Sequence, residues 1–309
     1  MAAPLYINGK FAGALSYQVQ RFETVRFAGF TSAADLYEVR RIAMDLNTRP
    51  GALPASGLSP STMGRSTAPI PRHRNQYPDT LEPLSLVFAL GGISPNVAAW
   101  LAEPLAELGL NTTALGGAMS PSALSANDLE GRILSPGQAV GAALAIGDIA
   151  LAGTGTISSV DGNRVLAFGH PLLGLGTVEV PMTAAEIVAI LPSNLSSFKI
   201  ANTGAVICTV RQDRLSAIYG ELGSDPPMVA GKVHTPQRTL NFSTVRHPRL
   251  TPMIMATGLS QAVLGSNDAG LSEGFALRVD VDFPGGESLR MSRLYAGPQG
   301  FKVGLEGLV

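Results

Sequence analysis

Residues 153–171 read GTGTISSVDGNRVLAFGHP. The stretch from Thr154 to Val160 is rich in β-branched residues, which suit a pleated strand. Asp161-Gly162-Asn163 then supplies residue types that tolerate left-handed backbone in a tight turn. An apolar run from Arg164 to Gly169 follows and is stopped by Pro171, which has no N–H to give to a sheet. A hairpin is expected, with His170 at its far end, held by a strand and facing a loop. That placement suits a general base, although a lone histidine in a turn is usually structural.

The same pattern continues on both sides. QAVGAALAIG (138–147) before it, and AVICTV, SAIYGEL, MVAGKVH and RTLNFSTV after it, read as strands, with RQDR as a polar turn. In RQDR, Asp213 reads as a turn residue with Arg211 or Arg214 as its surface partner. A short helix is expected at TAAEIVAIL (183–191), ended by Pro192, and another from Pro252 to Leu264. Two long strands, ALRVDVDF and SLRMSRLYA, flank Pro284-Gly285-Gly286.

Upstream, residues 5–17 alternate around Asn8-Gly9, a strong hairpin signal because both central positions of a tight turn need positive φ. TSAADLYEVRRIAMDL (31–46) places Leu36, Val39, Ile42 and Met44 near helical spacing behind a Thr or Ser cap. LSLVFAL (84–90), then Gly91-Gly92, then SPNVAAWLAEPLAELG (94–109) reads as strand, turn and helix. Ser94 is its cap, Pro95 its first residue, Pro104 a kink and Gly109 its stop. A strand leading through glycines into a helix can cradle phosphate, but the G-x-G-x-x-G spacing is absent.

Composition agrees with a strand-rich chain: of 309 residues, 35 are Gly and 22 Pro, and only 15% are charged against 45% hydrophobic. With a net charge of -1 and its basic residues scattered, the chain offers no stripe for nucleic acid. The longest uncharged stretches are broken by Gly91-Gly92, Ser94-Pro95 and Asp148, so no transmembrane segment is expected, and no signal peptide is visible at Met1. The single cysteine, Cys208, reads as a buried core thiol without metal-ligand company, and neither a metal nor a cofactor is expected. His73, between Arg72 and Arg74, and His234 and His247, each near a proline, read as loop residues. The expected division is 1–46, 47–83 as a linker or surface arm, 84–136 as an α/β insertion, 137–235 as the β unit bearing His170, and 236–309 as a β-rich C-terminal module.

PLYINGKFAGALSY (4–17) also resembles the segment that follows the nucleophilic serine of chymotrypsin-like peptidases: Gly-x-Ser-Gly-x-Pro, strand, turn, then a strand ending in Ser and an aromatic. The nearer likeness is to the stage IV sporulation protein B family of serine peptidases, whose serine motif reads Gly-Met-Ser-Gly-Ser-Pro before a strand and an Asn-Gly or Asp-Gly turn. FAGFTSAADLYEV (27–39) resembles the glycine strand and helix that close that family's domain, and GTGTISSVDGNRVLAFGHP resembles its histidine segment. Residues 178–223 follow less sharply, and together these stretches cover just under a third of the chain. The resemblance implies a mainly β protein with some α, built from chymotrypsin-like β-barrel halves. It further implies His170 as general base, Ser16 and Tyr17 as residues pairing with a substrate strand, a peptide or protein substrate, and a bacterial, extracytoplasmic setting.

Two departures stand beside it. With Pro4 on the motif proline, Met1 takes the nucleophile position and Ala2 and Ala3 replace Gly-Ser, so the serine and the acidic member expected upstream are missing. The serine-side segment also precedes the histidine segment, the reverse of the family order. The chain is therefore expected to be an N-terminally truncated peptidase, inert as it stands. The alternatives are a non-catalytic peptide-binding or assembly protein on the same fold, or an envelope module in residues 236–309.

Overall fold

The computed structural model describes residues 3–19, 28–48, 81–83, 86–114, 134–191, 198–235, 238–265, 275–282 and 286–295. His73 and most of the 47–83 segment lie outside them. The protein is mostly β, with large multi-stranded sheets and three helices among the described residues.

β1 (Pro4–Ile7) and β2 (Lys10–Val19) form the expected hairpin. Asn8 and Gly9 take φ of 51° and 75°, the pair of positive values that matches a two-residue turn to the strand twist. β3 (Ala28–Ser32) lies along one edge of β2, and β4 (Leu81–Pro83) pairs with Tyr17–Val19. α1 (Ala33–Thr48) begins at Ser32, whose hydroxyl accepts the Asp35 N–H at 3.2 Å and donates to its carboxylate at 2.7 Å.

β5 (Phe88–Gly91), α2 (Pro95–Glu107) and β6 (Thr112–Ala114) make a parallel crossover, with Pro104 inside the helix. The centre of the molecule is made by β7 (Ala139–Gly147), β8 (Ala150–Asp161), β9 (Arg164–Ala167), β10 (Gly176–Leu191), β11 (Phe198–Asp213) and β12 (Ile218–Leu222). Each pairs antiparallel with its neighbour in the order β7-β8-β9-β12-β11-β10, and β10 returns to β7. The six strands thus close on themselves, with β10 meeting β7 at Met182–Ala184. Because β10 lies beside β7 rather than β9, the ring contains a Greek key, and residues 168–175 carry the chain from β9 to β10.

Val140, Ala142 and Leu144 alternate on β7 and meet Ile157, Val165, Val180 and Met182 in the apolar interior. Cys208 belongs to this core, and burial pushes its thiol up to about 12. β5 and β6 continue the sheet beyond β8. β14 (Thr239–Val245) and β13 (Met228–His234) continue it beyond β7, with α3 (Leu250–Leu264) packed on them. The sheet therefore draws strands from the 84–136, 137–235 and 236–309 segments. β15 (Phe275–Asp282) and β16 (Ser288–Tyr295) form a separate hairpin.

TAAEIVAIL departs from expectation: it is the second half of β10, not a helix. From Ala185 to Leu191 it pairs with Phe198–Thr203 of β11, and that ladder outweighs the mild helix preference of its Ala and Glu. The N-terminal unit docks outside the ring, where Leu36, Val39 and Ala43 of α1 pack on Leu166 of β9, Tyr219 of β12 and Ala217 just before it. Each fully buried leucine of that contact contributes roughly 1.5–3 kcal/mol. Arg40 of α1 also reaches Asp161 at 2.6 Å across the joint.

Candidate active site

The crossing segment between β9 and β10 opens with two consecutive residues in left-handed backbone, Phe168 at φ 75° and Gly169 at φ 74°. For a bulky residue that conformation is strained, and strain of this kind collects at functional turns. It is held by packing: the Phe168 ring fills the space above Gly155, where an added Cβ would lie 2.1 Å from the ring. Gly169 is required for a second reason, since a Cβ there would stand 2.6 Å from Ala14 Cβ on β2.

His170 follows, only 6% exposed, with its ring centroid 5.6 Å from that of Phe168. Nδ1 lies 2.9 Å from the Pro171 carbonyl. A carbonyl oxygen has no proton to give, so the neutral ring carries its hydrogen on Nδ1 and leaves Nε2 as the basic nitrogen. Burial lowers the imidazole from its ordinary value to about 4, only partly offset by the Pro171 bond, so the ring is uncharged at neutral pH. This is the protonation state a histidine needs to remove a proton through Nε2.

Asp213 is not the surface turn residue expected from RQDR. It ends β11 at 1% exposure, and its carboxylate accepts N–H groups from Leu172 (2.7 Å), Leu173 (2.9 Å) and Leu175 (3.0 Å). Burial pushes this carboxyl up, and the N–H groups of Leu175, Leu173, Leu172 and Gly174 draw it back. Arg211 bonds Glu179 instead, and Arg214 donates from Nε to Gln212 at 2.9 Å. Asp213 was missed because its partners lie about 40 residues upstream, where nothing local to RQDR announces them. Its effect is to fix the crossing segment directly after His170 and Pro171.

The serine-side segment meets the histidine segment here. The buried Ser16 hydroxyl lies 2.5 Å from the Gly169 carbonyl and 2.8 Å from that of Ala14, and Thr31 Oγ1 lies 2.9 Å from the same Gly169 oxygen. The Thr31 N–H donates to Ser16 Oγ at 3.2 Å, and the Thr31 hydroxyl, 2.7 Å from the same oxygen, gives its one proton either to Ser16 or to the Gly169 carbonyl. With Ser16 donating to Gly169, the hydroxyls form a chain that ends on the carbonyl just before His170. The sequence offers Thr31 as one of two candidate caps for α1; Ser32 takes that task, and the reach of Thr31 to Gly169 has no local signal. The Leu15 N–H bonds the Ala3 carbonyl at 2.8 Å, so the chain enters β1 alongside the residues that touch Gly169.

Tyr17 has both backbone edges filled, opposite Gly29 on β3 and Pro83 on β4. Lys199 on β11 donates to Thr156 Oγ1 at 3.0 Å, and burial pulls its amine below the usual value. Thr156 accepts the Phe168 N–H at 3.0 Å through its carbonyl, which ties β8 to the strained turn. Among the described residues, no group of three metal-ligating side chains occurs and no helix is long and apolar enough to cross a membrane. No family model, curated protein or solved structure matches this chain.

Proposed function

We propose that the chain carries the histidine and the substrate-side hairpin of a serine endopeptidase of the sporulation protein B type. The observation that carries this reading is the meeting of the two resembling segments, about 150 residues apart, at the Gly169 carbonyl. The closed six-stranded Greek-key ring supports it, being the kind of unit a chymotrypsin-like barrel half requires. In the intact family mechanism, a histidine in the place of His170 takes the proton of the serine, the acyl-enzyme forms on that serine, and backbone N–H groups of its glycine-rich turn stabilise the oxyanion. With Met1-Ala2-Ala3 in those positions, the chain as it stands is inert. The Pro171 carbonyl performs at Nδ1 the orienting task that the triad acid performs elsewhere.

Pairing of a substrate strand at Ser16 and Tyr17 belongs to the same proposal and requires β4 to leave the β2 edge. An extracytoplasmic setting comes with the resemblance. A non-catalytic peptide-binding protein on this fold is the second reading, favoured by the methionine at the aligned nucleophile position.

The test restores the motif: Met1→Ser, Ala2→Gly and Ala3→Ser behind a leader ending in Gly-Met. A fluorophosphonate is expected to label this variant, and His170→Ala is expected to abolish labelling. A folded, motif-restored protein that takes no label, or labels equally without His170, contradicts the catalytic reading and leaves the binding one.

A further inference from the structure

A cleft of about 310 Å³ lies behind the crossing segment, between α1 on one side and Gly174–Gly176 with the Asp213–Ser216 turn on the other. Val39 and Ile42 of α1 and Leu215 of the turn give it apolar walls. Three carboxylates reach it, and each is already engaged. Asp35 accepts the Ser32 hydroxyl at 2.7 Å, Glu38 is held by two nitrogens of Arg41 at 2.7 and 2.5 Å, and Asp213 is enclosed by backbone N–H groups.

Arg214 differs from them. Its Nε is spent on Gln212, but its two terminal nitrogens have no acceptor among the described residues. The guanidinium stands over Gly176, where an added Cβ would lie 3.9 Å from Nη1, so no side chain covers it from that direction. The cleft therefore offers one unpaired, fork-shaped cation beside an apolar wall.

We propose that this cleft binds the carboxyl terminus of a peptide whose last residue is apolar. The carboxylate takes both terminal nitrogens of Arg214 in the two-pronged geometry that guanidinium and carboxylate share. The last side chain lies against Val39, Ile42 and Leu215. A singly charged carboxylate is favoured over a phosphate because Asp35, Glu38 and Asp213 raise the cost of bringing a dianion into the same space. The volume is at the small end of the roughly 300–1,000 Å³ of ligand sites, which suits a chain end rather than a long segment. The site is built from binding contacts alone, so it stands or falls separately from the acyl transfer proposed above.

The experiment titrates the full chain by calorimetry with acetyl-Ala-Ala-Leu as free acid and as C-terminal amide, and with inorganic phosphate. The acid is expected to bind at least about tenfold more tightly than the amide, with phosphate weaker than the acid. Arg214→Gln is expected to reduce the acid to the level of the amide. Ile42→Glu, at the partly exposed face of α1, is expected to weaken the acid in a protein that unfolds at the same urea concentration as the parent. Equal binding of acid and amide, no binding at millimolar peptide, tighter binding of phosphate, or an acid preference that survives Arg214→Gln would each overturn the proposal.

Discussion

The chain uses the dipeptide His-Pro twice, at 170–171 and at 247–248, and gives the two imidazoles opposite tasks. At the first, Nδ1 donates to the Pro171 carbonyl and Nε2 is left basic. At the second, Nδ1 is the acceptor: the N–H groups of Arg249 and Leu250, at the start of α3, each lie 3.3 Å from it. His247 also donates its own N–H to Thr251 Oγ1 at 2.9 Å and accepts the Thr251 N–H through its carbonyl at 3.0 Å. It therefore closes the open N-terminus of a helix, as a Ser or Asp cap does. Burial, followed by the charge of Arg249, holds its ring below the ordinary histidine value. The difference lies in what the preceding strand meets. β14 runs into a helix whose first N–H groups need acceptors, whereas β9 runs into a crossing segment whose N–H groups are already taken by Asp213.

The largest expected effect separates the two turns through Asp213. Asp213→Ala leaves three buried N–H groups without an acceptor and is expected to cost on the order of 4 kcal/mol in urea unfolding. The His247 ring resonances should stay where they are. A loss below about 1 kcal/mol would mean that the crossing segment does not depend on this carboxylate.

Acid comes next. His170 titrates at about 4 when folded and at about 6.5 when unfolded, so the unfolded chain takes up the proton first. The stability from keeping this ring neutral is complete above pH 6.5 and is lost as pH falls, about 3 kcal/mol of it by pH 4. His247, also lowered, acts in the same direction, and Asp213, raised, acts in the opposite one. The difference between the parent and His170→Gln across pH 4–7 isolates the histidine's share, and parallel stability curves for the two proteins would refute it.

Two smaller effects mark the partners of each turn. Ser16→Ala removes a hydroxyl from the Gly169 carbonyl and leaves the Thr31 N–H without its acceptor, while the Thr31 hydroxyl keeps that carbonyl, at a cost of about 2 kcal/mol by urea unfolding. His247→Ala removes a cap and is expected to cost about 1 kcal/mol, with faster amide exchange confined to the first turn of α3. A cost spread over the whole sheet would deny it a capping role.

The contrast also shows where sequence reading succeeds. The Asn8-Gly9 hairpin, α1 and the β8–β9 turn are legible because local backbone preference and apolar period agree there. His170 at a strand end is legible for the same reason. TAAEIVAIL is not, because its Ala and Glu residues carry little preference and the ladder to β11 decides its conformation. His247 as a helix cap and Asp213 as an acceptor for distant N–H groups are long-range or unusual uses of residues that look like loop punctuation. Closure of the ring, through β7 with β10 and with β8, is a property of pairing that no single segment announces.

Burial and the bond to the Pro171 carbonyl hold His170 neutral with its proton on Nδ1. Long-range proton–nitrogen correlation of the imidazole at pH 7, assigned by its loss in His170→Gln, tests this directly. A protonated Nδ1 and an unprotonated Nε2 are expected at position 170, with the reverse at His247. A charged ring at His170, or a proton on its Nε2, would contradict it.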